Sequence, residues 1–289
     1  MKATIIQGTK REYQVLKEDG TKAFCNVRKA LIFASGPLFI GDEVEVSELN
    51  TIDSRSERKN LLFRPKIANL DYAVLVCPTY KPGFSSYLLD KFLTYLNSCY
   101  IKTIIVFTKV DCLSEEEREN IKSIGEYYAS LGYKYYLTSK NDEGSISPLR
   151  ECIKGHKIAF MGQTGAGKSS LINALDPSFN RAIGEYSEAL GRGKHQTKEV
   201  VLLEYLGGLI GDTPGFSSFD LPLKVEEVSY FFPGYDKFKL KCYYSNCLHI
   251  NEKECEVKRK VEEGILNKEN YENYLKLVKE IKEGRKDVH

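Results

Sequence analysis

The sequence predicts an α/β protein: a doubly wound domain with a small β-barrel before it and a cysteine-histidine module after it. Three observations carry this prediction. Short β-rich segments separated by turns fill residues 1–65. From 66 to 224, apolar strands alternate with helical patterns, the rhythm of a sheet covered on both faces. From 225 to 289, a group of metal-binding side chains precedes a helix-forming tail.

In the first region, ATII (3–6), EYQVL (12–16), KAFCNV (22–27) and DEVEVSEL (42–49) are rich in β-branched and aromatic residues. Asp19-Gly20 offers a hairpin turn, and SGPLFIGD (35–42) reads as a loop. Short strands with no helix between them predict a five-stranded, OB-like barrel. A β-sandwich is the alternative that periodicity leaves open.

In the second region the expected strands are YAVLVC (72–77), TIIVFT (103–108), KYYLT (134–138), KIAFM (157–161) and VVLLEYL (200–206). Helices are expected over 85–100 and 114–132. Ser114 and Glu117 form a capping box for the second of these, and Gly132 closes it. In the tail, Tyr271, Tyr274, Leu275, Val278 and Ile281 share one helical stripe, which reads as a packing face.

Composition narrows the class. The chain has 289 residues, 42% hydrophobic and 28% charged, with a net charge of +2, so global charge does not argue for or against a nucleic-acid partner. No apolar run is long enough to span a membrane, and the N-terminus lacks the apolar core of a signal peptide. A cytoplasmic protein is expected, and a monomer, because no coiled-coil pattern is present. Cys25, Cys77, Cys99, Cys112 and Cys152 are scattered, mostly beside apolar residues, and read as small buried hydrophobes.

The chemistry concentrates in AFMGQTGAGKSSLINAL. Gly162, Gln163, Thr164, Gly165, Ala166, Gly167, Lys168, Ser169 and Ser170 follow a strand and open a helix, which is the setting of a phosphate-binding loop. Backbone amides wrap the β-phosphate, and the helix N-terminus favours the anion. Lys168 is expected to bridge β- and γ-phosphate oxygens, and Ser169 to offer its hydroxyl to Mg²⁺. Asp212, opening Asp-Thr-Pro-Gly, supplies a second carboxylate for the metal. The Gly215 amide is expected at the γ-phosphate.

The base is read elsewhere. TKVD ends the strand 103–108, and the Asp111 carboxylate can accept from guanine N1–H and N2–H₂ but not from adenine in that way. The Lys109 stem would lie along the ring. TSK (138–140) ends another strand, and the Ser139 amide, beside Lys140, can meet guanine O6. A GTP/GDP site follows, although the base loop precedes the phosphate loop in the chain. A P-loop ATPase or kinase remains the competing reading, which an ADP preference would support.

Cys242, Cys247, His249 and Cys255 have the composition of a closed, structural Zn²⁺ site. A disulfide would leave one cysteine over. Lys237, Lys239 and Lys241 interleave with Phe238, Tyr243 and Tyr244, and RSERKNLLFRPK (55–66) is also basic. These stretches suit RNA, or equally a solvated surface.

The order TKVD, TSK, P-loop, DTPG resembles that of the circularly permuted GTPases. Within them the chain is similar to the bacterial ribosome-assembly family of small-subunit-dependent GTPases. Supporting stretches are SRSERKNLLFRPKIANLDYAVLV, GQTGAGKSSLINAL, GRGKHQTKEV, GDTPGFSSFDL and the cysteine cluster. The resemblance implies a circularly permuted P-loop GTPase domain between an N-terminal OB-like, RNA-binding barrel and a C-terminal zinc module. It implies slow GTP hydrolysis, stimulated by the small ribosomal subunit, and contact with 16S rRNA. A GTP-regulated switch acting on another RNA is the alternative. Permutation would preserve the site, because the loops leave neighbouring strand ends.

Three positions depart from the patterns common among GTPases or in this family. Thr108 stands where guanine loops more often have Asn. Gln196 replaces the first of two switch threonines, which leaves Thr197 as the Mg²⁺ ligand expected with GTP. Phe216 stands where many GTPases place a water-orienting Gln, and His195 is the candidate for that role.

Overall fold

The computed structural model describes residues 1–8, 12–179, 200–213 and 221–284. Thr197, His195, Gly215, Gln196 and Phe216 lie outside them.

Strands β1 (Lys2–Gly8), β2 (Tyr13–Lys17), β3 (Lys22–Val27), β4 (Glu43–Val46) and β5 (Thr51–Arg55) close a barrel in the order β1-β2-β3-β5-β4. Alternation on each strand sends Ile5, Val15, Cys25, Val44 and Ile52 into its core. Two features differ from the sequence reading. Helix α1 (Lys29–Ser35) lies between β3 and β4, where no helix was expected. None of its residues is fully buried, and Leu31 and Ile32 pack against the barrel core. Strand β5 was also missed. TIDSR carries a single fully buried residue, Ile52, and its strand character comes from pairing on both sides.

A short hairpin, β6 (Leu61–Phe63) and β7 (Lys66–Ala68), leads into a six-stranded sheet. Its order is β10-β9-β8-β11-β13-β12, from β8 (Tyr72–Pro78), β9 (Thr103–Thr108), β10 (Lys134–Thr138), β11 (Lys157–Met161), β12 (Leu202–Tyr205) and β13 (Gly208–Asp212). All neighbours are parallel except the β12/β13 pair. The parallel strands therefore end on one edge of the sheet. Strand β13 turns back from β12 at Leu206-Gly207, both at positive φ.

Alternate residues feed two cores. Leu75, Ile105, Phe107 and Met161 face α2 (Ser86–Ser98) and α3 (Glu115–Ser130). Val74, Val106, Ile158 and Phe160 face α4 (Glu143–Ile153) and α5 (Lys168–Leu175). The capping box of α3 is present: Glu117 N–H donates to Ser114 Oγ, and Ser114 N–H donates to the Glu117 carboxylate. Helix α4 starts at Glu143, where the Asp142 side chain accepts from the Gly144 N–H.

The C-terminal region contains α6 (Val225–Phe231), α7 (Asp236–Lys239), α8 (Glu256–Glu262) and α9 (Lys268–Gly284). Val228, Phe232, Tyr235, Tyr274 and Leu277 build its core. Tyr274, Leu277 and Val278 are buried on α9, close to the expected stripe. Helix α9 also docks on α2. Asp90 accepts from Tyr128, Asn270 and Asn273, and Lys91 pairs with Glu280.

Candidate functional site

The phosphate loop sits between β11 and α5. Gly162 has φ 149°, and a Cβ there would collide with the Val76 carbonyl oxygen, so only glycine fits so close to β8. Gly167, at φ 93°, turns the chain into α5. Lys168 is buried and donates from Nζ to Gly162 O at 3.3 Å, with its ammonium folded over its own loop. Gln163 is half-buried, Ala166 is buried, and Thr164, Gly165, Ser169 and Ser170 are exposed toward the open side.

The base loop meets it. Thr108, the last residue of β9, is buried and donates from Oγ1 to Ala166 O at 2.7 Å. Lys109 adopts φ 64° and reaches Gly165 O at 3.0 Å. The single turn Val110–Cys112 follows and leaves Asp111 exposed. Thr138, at the end of β10, donates to Phe107 O and ties the TSK loop to β9. Ser139 is buried, and its N–H donates to Ser145 Oγ at 3.0 Å, while Lys140 is exposed. Asp212 ends β13, which pairs directly with β11, so its carboxylate leaves the sheet beside the phosphate loop. Thr213 then donates to Phe160 O at 2.7 Å.

The sequence reading passed over one participant. Strand β8 lies between β9 and β11, so the loop after it emerges between base and phosphate loops. Lys109 Nζ donates to Lys81 O at 2.6 Å, and Pro82 lies against Gly165. The Tyr-Lys-Pro-Gly run at 80–83 signals a loop, but only sheet order reveals where it goes.

The cysteine-histidine group is equally compact. The ligand atoms of Cys242, Cys247, His249 and Cys255 all lie within 4.8 Å of one another. His249 Nδ1 is 3.6, 3.3 and 3.2 Å from the sulfurs of Cys242, Cys247 and Cys255. A tetrahedral zinc with ordinary bond lengths requires S···N edges of about 3.6 Å, so the donor set fits the ion. Burial, aided by nearby Lys239, lowers the His249 pKa to about 4, keeping the imidazole neutral as a ligand must be. Burial pushes the Cys255 thiol up to about 12, a cost that a divalent cation among the sulfurs would reverse. The ligand-bearing loop is pinned on both sides. Glu252 accepts from the Leu248 and Ile250 amides, and Tyr274 and Tyr271 donate to Leu248 O and His249 O at 2.7 and 2.8 Å. The tyrosine stripe of α9 is therefore both packing face and scaffold for the metal loop.

A P-loop and a TKVD loop on one sheet edge, written in reverse order along the chain, are the arrangement of a circularly permuted GTPase. The sequence model of the RsgA GTPase family matches residues 55–222, and the chain belongs to that family. The small ribosomal subunit biogenesis GTPase RsgA of Halalkalibacterium halodurans is 38% identical over 286 residues, 97% of each chain. The Bacillus subtilis protein of the same name is 42% identical, over 78% of this chain and 77% of that one. Among solved structures, YjeQ from Thermotoga maritima has a TM-score of 0.83 at 30% identity, covering 97% of this chain and 98% of its own. YloQ, described as a circularly permuted GTPase, has a TM-score of 0.80 at 33% identity, covering 98% and 95%. The chain is a GTP-hydrolysing enzyme. Among the described residues no helix is long and apolar enough to cross a membrane.

Proposed function

We propose that this GTPase of small ribosomal subunit biogenesis binds the subunit in its GTP form, hydrolyses GTP to GDP and phosphate faster there than alone, and leaves as the GDP form. The observation that carries the reading is the closure of the TKVD loop onto the P-loop through Thr108 and Ala166, in a chain similar to its relatives from end to end.

In this proposal Asp111 accepts from guanine N1–H and N2–H₂, Lys109 flanks the ring, and Ser139 with Lys140 closes over O6. The amides of 162–170 and Lys168 hold the phosphates. Ser169 and Asp212 would hold Mg²⁺, joined by Thr197 with GTP; the ion would supply screening of developing phosphoryl charge. Gly215 and His195 keep the roles read from the sequence. Cys242, Cys247, His249 and Cys255 would hold one structural zinc.

The barrel and the C-terminal module, divided from the GTPase near residues 65 and 224, form the surfaces for 16S rRNA. Support comes from exposed rings near a cation on a half-buried ring. Tyr243 is 73% exposed next to Tyr244, and Lys241 lies over Phe238. We propose a cytoplasmic monomer. The test is GTP turnover with and without isolated small subunits, with Lys168→Ala as control. Turnover that subunits leave unchanged rejects the ribosomal reading.

A further inference from the structure

Resting on the reading that the Ser139 amide meets guanine O6, we propose that Ser145 is a built-in competitor for that amide and sets how tightly the site holds guanine nucleotides. The Ser139 N–H donates to Ser145 Oγ at 3.0 Å. The Ser145 hydroxyl has two acceptors in reach, Asp142 O at 2.7 Å and Ser139 O at 3.3 Å; with its one hydrogen on the nearer of them, a lone pair faces the amide. A backbone N–H carries one hydrogen. It cannot make a well-aligned bond to Oγ and to a base oxygen together.

The competitor is held in place. Ser145 lies in the first turn of α4, where its N–H donates to Asp142 O at 3.0 Å and Asp142 Oδ1 caps Gly144 N–H at 3.0 Å. The next residue, Ile146, is anchored in the core at 1% exposure. Ser139 is itself only 5% exposed, so its amide without Oγ has few solvent partners and gains more from a base oxygen. Nucleotide entry therefore exchanges one internal hydrogen bond for one to O6, and the net gain from reading O6 is small. The serine acts as a brake on guanine affinity, which favours release of spent GDP. Ser145 is thus a positioning residue, acting through Ser139.

The experiment measures dissociation constants of the full-length protein for GDP and for 6-thioguanosine diphosphate. The thio analogue keeps N1–H and N2–H₂ but presents sulfur, a weak acceptor, at position 6. Ser145→Ala should tighten GDP by about threefold to tenfold and the thio analogue much less, the range expected for one net hydrogen bond. Ser145→Thr, which keeps the hydroxyl, should retain wild-type values. Unchanged or weakened GDP binding, or equal tightening of both ligands, overturns the proposal. Titrating Asp111→Asn with GDP and with xanthosine diphosphate, which has a carbonyl in place of the guanine amino group, separates the two levels. Loss of guanine preference there with no effect of Ser145→Ala rejects the brake alone. Retained preference rejects the underlying base assignment as well.

Discussion

Thr108 and Ala166 are 58 residues apart in the chain and joined by a buried hydrogen bond of 2.7 Å. One ends the strand that carries the base loop, and the other lies inside the phosphate loop. Their contact couples the two halves of the nucleotide site without a ligand. Replacing the hydroxyl with a methyl of the same shape, Thr108→Val, leaves the Ala166 carbonyl buried and without that donor. The expected cost is about 1–3 kcal/mol of stability. GDP affinity should fall too, because the loops lose their mutual register. Chemical denaturation and calorimetric titration check both effects; a variant equal to wild type in each would mean the bond couples nothing.

Asp111 tests guanine selectivity. Its carboxylate is exposed at the loop tip, ready for a ligand. Asp111→Asn turns one acceptor oxygen into a donor facing the guanine amino group. Losing charge-assisted bonds of roughly 1.5–3 kcal/mol each should weaken GDP binding by about two orders of magnitude. Xanthosine diphosphate, with a carbonyl where guanine has its amino group, should lose far less or gain. Fluorescence competition reads the ratio, and an unaltered ratio removes Asp111 from base recognition.

The cysteine-histidine group predicts a metal count and a pH direction. One zinc per chain should be found in the purified protein and lost in Cys247→Ser, as read by atomic absorption. Ligation requires deprotonated thiols, and burial holds the Cys255 thiol high without a cation, so loading should fall as pH is lowered. The aromatic core of Phe232, Tyr235 and Tyr274 packs around the ligand loop. Metal loss should therefore alter near-ultraviolet dichroism more than helix content. Full zinc content in Cys247→Ser would reject this ligand set.

Much of this architecture is legible in the chain because each signal is local. The P-loop lies where strand 157–161 meets helix 168–175, and the capping box at Ser114 and Glu117 marks a helix start unaided. The unread parts depend on partners remote in sequence. Strand β5 is polar apart from Ile52 and becomes a strand by pairing with β3 and β4. Lys81 enters the nucleotide site because β8 lies between β9 and β11, an ordering that no local pattern states. Ser145 looks like any polar residue in a first helical turn until the Ser139 amide is seen pointing at it.

Asp90 predicts how pH acts on the junction between the GTPase sheet and the C-terminal helix. It is 1% exposed and accepts from Tyr128 Oη at 2.6 Å and from Asn270 and Asn273 at 2.8 Å. Burial is the largest influence and pushes its carboxyl from 3.8 up to about 7, against the pull of those three donors. The unfolded chain gives up this proton near 3.8 and the folded chain near 7. Between these values the folded state holds a proton that the unfolded state has lost, so this group's contribution to stability falls as pH rises and levels off above 7. Asp90→Asn cannot titrate. The stability of wild type minus variant should therefore decline by a few kcal/mol, on the order of 1.4 per pH unit, across the window. Urea unfolding of zinc-loaded protein between pH 5.5 and 8 reads the upper half of it. A difference that stays flat over that range would mean the Tyr128, Asn270 and Asn273 donors outweigh burial and keep Asp90 ionised, binding α9 to α2 as an anion at neutral pH.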